Sequence, residues 1–353
     1  MRRTAVSILV GLTAFFTLAG QAQAQCYIAY VHGKGDDLSP GVVDDTARAN
    51  YWRRDASDTY GDFVRYSRGG CTTLITGYNG RASFWDPDSA GRVAQQINDF
   101  ITQHNIQPGQ LRIISHSMGG LVTRWILNNG SPGSPYYNFR GENYARIRTA
   151  TSYFITVATP HLGSEAADAV YGSSDTLCGN FVGWVMGALG ERNRATDYLR
   201  RINLEYASVP SGGWLGDSAR TTRMYTIATR RQDGLGTTQD ILLAGVWECL
   251  GNNDDTCWIW GEGCGDIDEP GDGLVSYDSG RGRYERSGST SGLAWSSGTW
   301  VVGARTAWLD SDFNHHQVRL DAQQRRIENR TTGAASSYWM GSYIGSNGTQ
   351  LPL

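Results

Sequence analysis

Short apolar runs alternate with helically spaced apolar positions along most of the chain. Cys26-Tyr-Ile-Ala-Tyr-Val-His32 ends at a glycine and predicts a buried strand. Runs of the same kind stand at 72–76, 111–115, 153–158, 224–228 and 299–303. Val93, Ile97, Phe100 and Ile101 recur at helical spacing after Asp88, a candidate N-cap. Leu121, Trp125 and Ile126 share one side of a second helix over 121–127. Apolar strands alternating with helices imply an α/β fold, a mostly parallel sheet covered on both faces.

Two stretches break the rhythm. Residues 163–218 carry the apolar patch Phe181-Val-Gly-Trp-Val-Met-Gly-Ala-Leu189, and residues 233–270 carry three cysteines and many acids. Both are too long for ordinary loops and read as insertions above the sheet of a single domain over 25–353.

The first residues change the picture of where the protein works. Met1-Arg2-Arg3, an apolar stretch from Ala5 to Ala19, then Ala22-Gln23-Ala24 give the order of a cleavable signal peptide over 1–24. The apolar run is shorter than the roughly 18 residues that suggest a membrane span. The expected destination is the periplasm or the exterior. Loss of Arg2 and Arg3 takes the formal charge from −3 to −5, which leaves no electrostatic footprint for nucleic acid. Cys26, Cys71, Cys178, Cys249, Cys257 and Cys264 all survive that cleavage, and an even set in an exported chain reads as disulfides. Cys257 and Cys264 are close enough to close a small loop, and Cys26 and Cys71 each precede a predicted strand. The spacing leaves the pairing open.

Ser115-His116-Ser117-Met118-Gly119-Gly120 lies between a predicted strand and a predicted helix. It is the G-x-S-x-G nucleophile elbow with serine in place of the first glycine. A turn that sharp needs small flanking residues. It lifts the Ser117 hydroxyl above the sheet and aims a helix N-terminus at it. His32-Gly33-Lys34-Gly35 follows the first strand, where a His-Gly turn supplies the first oxyanion donor. The backbone amides of Lys34 and Met118 are the expected pair.

The chain resembles the bacterial secreted triacylglycerol lipases and related esterases. The matching pieces are Val31-His32-Gly33, the elbow, Ala158-Thr-Pro-His-Leu-Gly-Ser164, Asp272-Gly-Leu-Val275 and Asn314-His315, in the family's order. The piece after the fourth strand also looks like the hydrolase domain of GPI inositol-deacylases. The resemblance implies the α/β-hydrolase fold and ester hydrolysis through an acyl-enzyme, on an ester or lipid substrate.

Chain order in this fold is serine, acid, then histidine. His161 precedes the acid candidates, so its place suggests a structural or pocket-lining residue. His315 and His316 follow the last predicted strand, and the family's Asn-His pattern implies His315. Asp272 matches the family's acid loop, while Asp233 follows the fifth strand, where the simplest version of the fold carries its acid. No cofactor is required. Some relatives hold calcium through an aspartate two residues after the histidine, and here that position is Gln317. Asp254, Asp255, Glu262, Asp266, Asp268 and Glu269 lack EF-hand spacing and read as solvated acids. The 181–189 patch reads either as a lid that meets a lipid surface or as a buried insertion helix. A monomer is expected. The same machinery suits polyester, lactone, thioester, amide or GPI-like lipid bonds. A non-catalytic binding protein of this fold is a rival, although its usual mark, a lost nucleophile or histidine, is absent.

Overall fold

The computed structural model describes residues 27–52, 72–130, 142–171, 192–200, 223–227, 272, 274–276, 279–280, 300–302 and 315. The leader, all six cysteines, the 181–189 patch, the acidic stretch, Asp233, His316 and Gln317 lie outside them.

Among the described residues six parallel strands form one sheet: β1 (Tyr27–Val31), β2 (Thr72–Ile75), β3 (Leu111–His116), β4 (Thr151–Val157), β5 (Arg223–Ile227) and β6 (Trp300–Val302), in the order β2-β1-β3-β4-β5-β6. Every residue of β1 and β3 is buried, which is why β1 reads as a continuous apolar run rather than an alternating one. The chain leaves β1 for β2 on one side and returns to β3 on the other. The carboxyl ends of β1 and β3 therefore flank the point where the winding reverses, the usual place for a ligand crevice in such sheets.

Six helices are described: α1 (Asp45–Asn50), α2 (Arg92–Gln103), α3 (Met118–Asn129), α4 (Tyr144–Ala150), α5 (Glu165–Val170) and α6 (Arg194–Tyr198). In α2, Val93, Ala94, Ile97, Phe100 and Ile101 face the core, as their spacing predicts. Its start differs from expectation. A π-type turn over Pro87–Gly91 precedes the helix, and Asp86 rather than Asp88 caps it, accepting from the Asp88 N–H at 2.9 Å. Pro87, which has no N–H, suits the first position of such a turn and moves the cap one residue ahead of it.

Helix α3 extends beyond the predicted 121–127 at both ends and is buried almost all round. It can sit that deep because Gly119 and Gly120 in its first turn carry no side chains. A Cβ on Gly119 would lie 2.2 Å from the His32 carbonyl oxygen and 2.5 Å from that of Val31. The helix N-terminus thus rests directly on the backbone of β1. α5 and α6 fall inside the region read as the first insertion.

Candidate active site

Ser117 sits between β3 and α3 with φ 52° and ψ −133°, a conformation that costs an L-residue energy. The surroundings hold it there. Its N–H donates to the Val157 carbonyl at 2.8 Å, and its carbonyl accepts from Gly120 N–H at 3.0 Å. Gly120 packs so closely on Thr159 that a Cβ would lie 2.1 Å from the threonine Oγ1. In this conformation Ser117 presents its hydroxyl to His315.

His315 Nε2 is 2.8 Å from Ser117 Oγ, and His315 Nδ1 is 2.9 Å from Asp272 Oδ2. All three residues are buried. Asp272 Oδ1 accepts from the Leu274 N–H at 3.0 Å and the Val275 N–H at 2.8 Å, so one carboxylate oxygen is committed to its own turn. The His315 N–H donates to the Asp272 carbonyl at 2.9 Å, which ties the two segments by backbone as well. A carboxylate accepts, so His315 Nδ1 carries the proton and Nε2 presents its lone pair to the serine.

The loop after β4 holds the acid segment in place. His161 N–H donates to the Ser279 carbonyl at 3.2 Å and Leu162 N–H donates to Ser279 Oγ at 3.1 Å. Ser279 Oγ in turn donates to the Gly163 carbonyl, and Ser164 Oγ donates to the Leu274 carbonyl, each at 2.5 Å. The small residues of this loop leave room for those contacts. His161 itself is fully buried, with Nε2 2.9 Å from Thr156 Oγ1 and Nδ1 3.3 Å from Arg124 Nη1. Burial, with the Arg124 charge second, holds its imidazole well below 6.5.

The turn after β1 is clamped from beneath. Tyr78 stacks on His32 with ring centroids 4.0 Å apart, and its hydroxyl donates to the His32 carbonyl at 2.8 Å. His32 Nε2 accepts the Tyr78 N–H at 3.1 Å. Burial, and then the neighbouring Tyr51, push the Tyr78 hydroxyl well above 10, so it stays a donor. A Cβ on Gly33 would lie 2.6 Å from that of Ser117, so the turn carrying Lys34 passes directly beside the serine. Met118 is the first residue of α3 and is fully buried. Tyr51, Tyr78 and His116 escaped the sequence reading. His116 lies inside the quoted motif, but nothing in the local pattern marks either tyrosine.

Residues 79–176 match the family model described as "Putative serine esterase (DUF676)". That segment runs from before α2 through the serine turn to the end of α5. No curated protein matches the chain. Among solved structures, the chain is similar to the mature form of the Bacillus licheniformis lipase BlEst2, at 15% identity and a TM-score of 0.51, over 87% of this chain and 92% of that one. The propeptide form of the same lipase aligns at 16% identity and a TM-score of 0.49, over 84% of this chain, which spans only 48% of that longer one. The Staphylococcus hyicus lipase aligns at 16% identity and a TM-score of 0.45, over 93% of this chain and 95% of that one. The fold is the α/β-hydrolase fold, and residues 79–176 carry the serine-esterase signature of a carboxylic-ester hydrolase.

Proposed function

We propose that the protein is an exported lipase-like esterase that works through an acyl-enzyme, with Ser117 as nucleophile, His315 as base and Asp272 as its orienting carboxylate. The hydrogen-bond chain Ser117–His315–Asp272, drawn from three distant segments, is the observation that carries this reading. Export rests on the leader-like order of residues 1–24.

In the first half-reaction Ser117 Oγ attacks the ester carbonyl carbon while its proton passes to His315 Nε2. The carbonyl oxygen gains the negative charge and is met by the backbone amides of Lys34 and Met118. Asp272 stabilises the imidazolium. Collapse expels the alcohol, which takes the proton from His315. Water, deprotonated by the same nitrogen, then attacks the acyl-serine; the acyl–Oγ bond breaks, the proton on His315 returns to Ser117 Oγ, and the carboxylic acid is released. A base, an orienting acid and two donors suffice for these steps, so the proposed mechanism calls for no cofactor. The substrate is an ester or lipid. As a lid, the 181–189 patch would meet a lipid surface and favour long acyl chains; as a buried insertion helix it would leave short esters as the substrate.

Hydrolysis of nitrophenyl esters from short to long acyl chains tests the reading. Ser117→Ala is expected to lower kcat by about 10⁴-fold or more. A long-chain optimum supports the lipid substrate, and a short-chain optimum removes the lid. Wild-type protein that is folded, inactive on every ester and unreactive toward a fluorophosphonate probe would overturn the assignment.

A further inference from the structure

We propose that Tyr51 is a positioning residue that sets the oxyanion turn and, through His116, the segment carrying His315; the proposal rests on the esterase reading above. Tyr51 follows α1, whose N-terminus is capped by Asp44 at 2.7 Å from the Ala47 N–H. The next residue, Trp52, is buried and packs edge-on against Tyr30 of β1, with centroids 5.4 Å apart. The tyrosine is thus held from both sides in sequence.

Its hydroxyl makes two bonds that join parts of the site remote in sequence. Tyr51 Oη accepts from the Gly33 N–H at 2.8 Å and lies 2.5 Å from His116 Nδ1. His116 Nε2 lies 2.8 Å from the His315 carbonyl oxygen. A carbonyl only accepts, so His116 Nε2 carries the proton. In the neutral ring Nδ1 is then a lone pair, and the Tyr51 O–H donates to it. The chain has one direction: Gly33 N–H to Tyr51 O–H, to the His116 ring, to the His315 carbonyl. A Cβ placed on Gly33 would lie 2.7 Å from Tyr51 Oη and 2.6 Å from Ser117 Cβ, so the hydroxyl, the turn and the nucleophile share one small volume.

Gly33 precedes Lys34, whose amide is the first oxyanion donor in the proposed reaction. Fixing the Gly33 N–H fixes the His32–Gly33 peptide plane, immediately before the Gly33–Lys34 plane that carries that donor. Oxyanion stabilisation depends steeply on donor position, so slack here appears in the transition state rather than in substrate binding. The same slack passes to the backbone of the base.

Tyr51→Phe keeps the ring and removes only the hydroxyl. In the full chain, kcat for nitrophenyl butyrate is expected to fall about 10- to 100-fold with KM held within about twofold. Affinity for a trifluoromethyl ketone, which forms a tetrahedral oxyanion on the serine, falls in parallel with kcat/KM. In a His116→Phe background the same substitution costs less than it does alone, because one chain is already broken. Unchanged kcat and ketone affinity in Tyr51→Phe would overturn the proposal, as would a loss confined to melting temperature and KM. Independent, multiplying effects would overturn the link through His116. If Ser117→Ala keeps wild-type activity, the esterase reading itself fails, whatever Tyr51→Phe does. An inactive Ser117→Ala beside a fully active Tyr51→Phe removes this proposal alone.

Discussion

Among the buried histidines at the carboxyl edge of the sheet, His315 and His161 have neighbours that give them opposite tautomers. His315 faces Asp272, so Nδ1 carries the proton and Nε2 points its lone pair at Ser117 Oγ 2.8 Å away. His161 faces Arg124, whose guanidinium can only donate. There Nδ1 is the lone pair and Nε2–H is given to Thr156 Oγ1. A proton arriving at His315 would be met by a carboxylate. One arriving at His161 would be met by a second positive charge, and both ring nitrogens are already engaged. Burial alone does not distinguish the two, since both are nearly inaccessible. The sign of the adjacent charge does, and under the proposed mechanism it assigns proton transfer to one region and scaffolding to the other.

The largest effect is expected from removing that sign at His315. Asp272→Asn keeps the shape of the side chain but offers its neighbour no charge and permits the opposite tautomer. kcat is expected to fall by about 10⁴-fold, with the fold intact by circular dichroism. His161→Gln, measured beside it, is expected to keep kcat within about an order of magnitude. If the two variants lose activity equally, the division of labour between the regions is wrong.

A smaller effect probes the other side. Arg124→Met removes the guanidinium from the His161 pocket and leaves the His161 Nδ1 and carbonyl without the donor that stands 3.3 and 3.5 Å away. Leaving buried acceptors unpaired is expected to cost about 2 kcal/mol in urea unfolding at pH 8. The folded fraction should retain its kcat. A stabilised Arg124→Met would show that the guanidinium is a burden on the fold rather than part of its scaffold.

Local pattern carried much of this arrangement and none of its long-range pairing. The strands were legible as short runs of apolar and β-branched residues between turns, β1 most plainly because a strand buried on both faces is an unbroken apolar run, and the serine turn because its geometry admits few residue types. Local cues ended where two similar residues competed. Asp86 takes the cap expected of Asp88 because the turn begins at Pro87. Between Asp272 and Asp233, and between His315 and His316, the sequence leaned on a family pattern. The structure brings Asp272 and His315 to Ser117, and their rivals lie outside the described residues. His161 was read as structural or pocket-lining, and its complete burial against Thr156 and Arg124 agrees with the first of these. Tyr51 had no signature at all. Its two bonds reach residues 18 and 65 positions away, and no periodicity records such a distance.

The smallest effect is a pH slope, and it isolates the His161 region from the site. Burial and Arg124 lower the His161 pKa in the folded protein, while the unfolded chain keeps a value near 6.5. Above about 6.5 the imidazole is neutral in both states, and the full stability is present. As pH falls below that value the unfolded state binds a proton that the folded state refuses. Stability therefore drops, at up to about 1.4 kcal/mol per pH unit, until the folded state also accepts the proton. Glutamine at this position offers an acceptor to Arg124 and a donor to Thr156 and does not titrate. Urea unfolding of wild type and His161→Gln between pH 7.5 and about 5, above the range where most carboxylates titrate, should give a falling line for the first and a flatter one for the second. Parallel slopes would mean that His161 does not report the guanidinium beside it. The contrast between the two histidines would then rest on hydrogen-bond geometry alone.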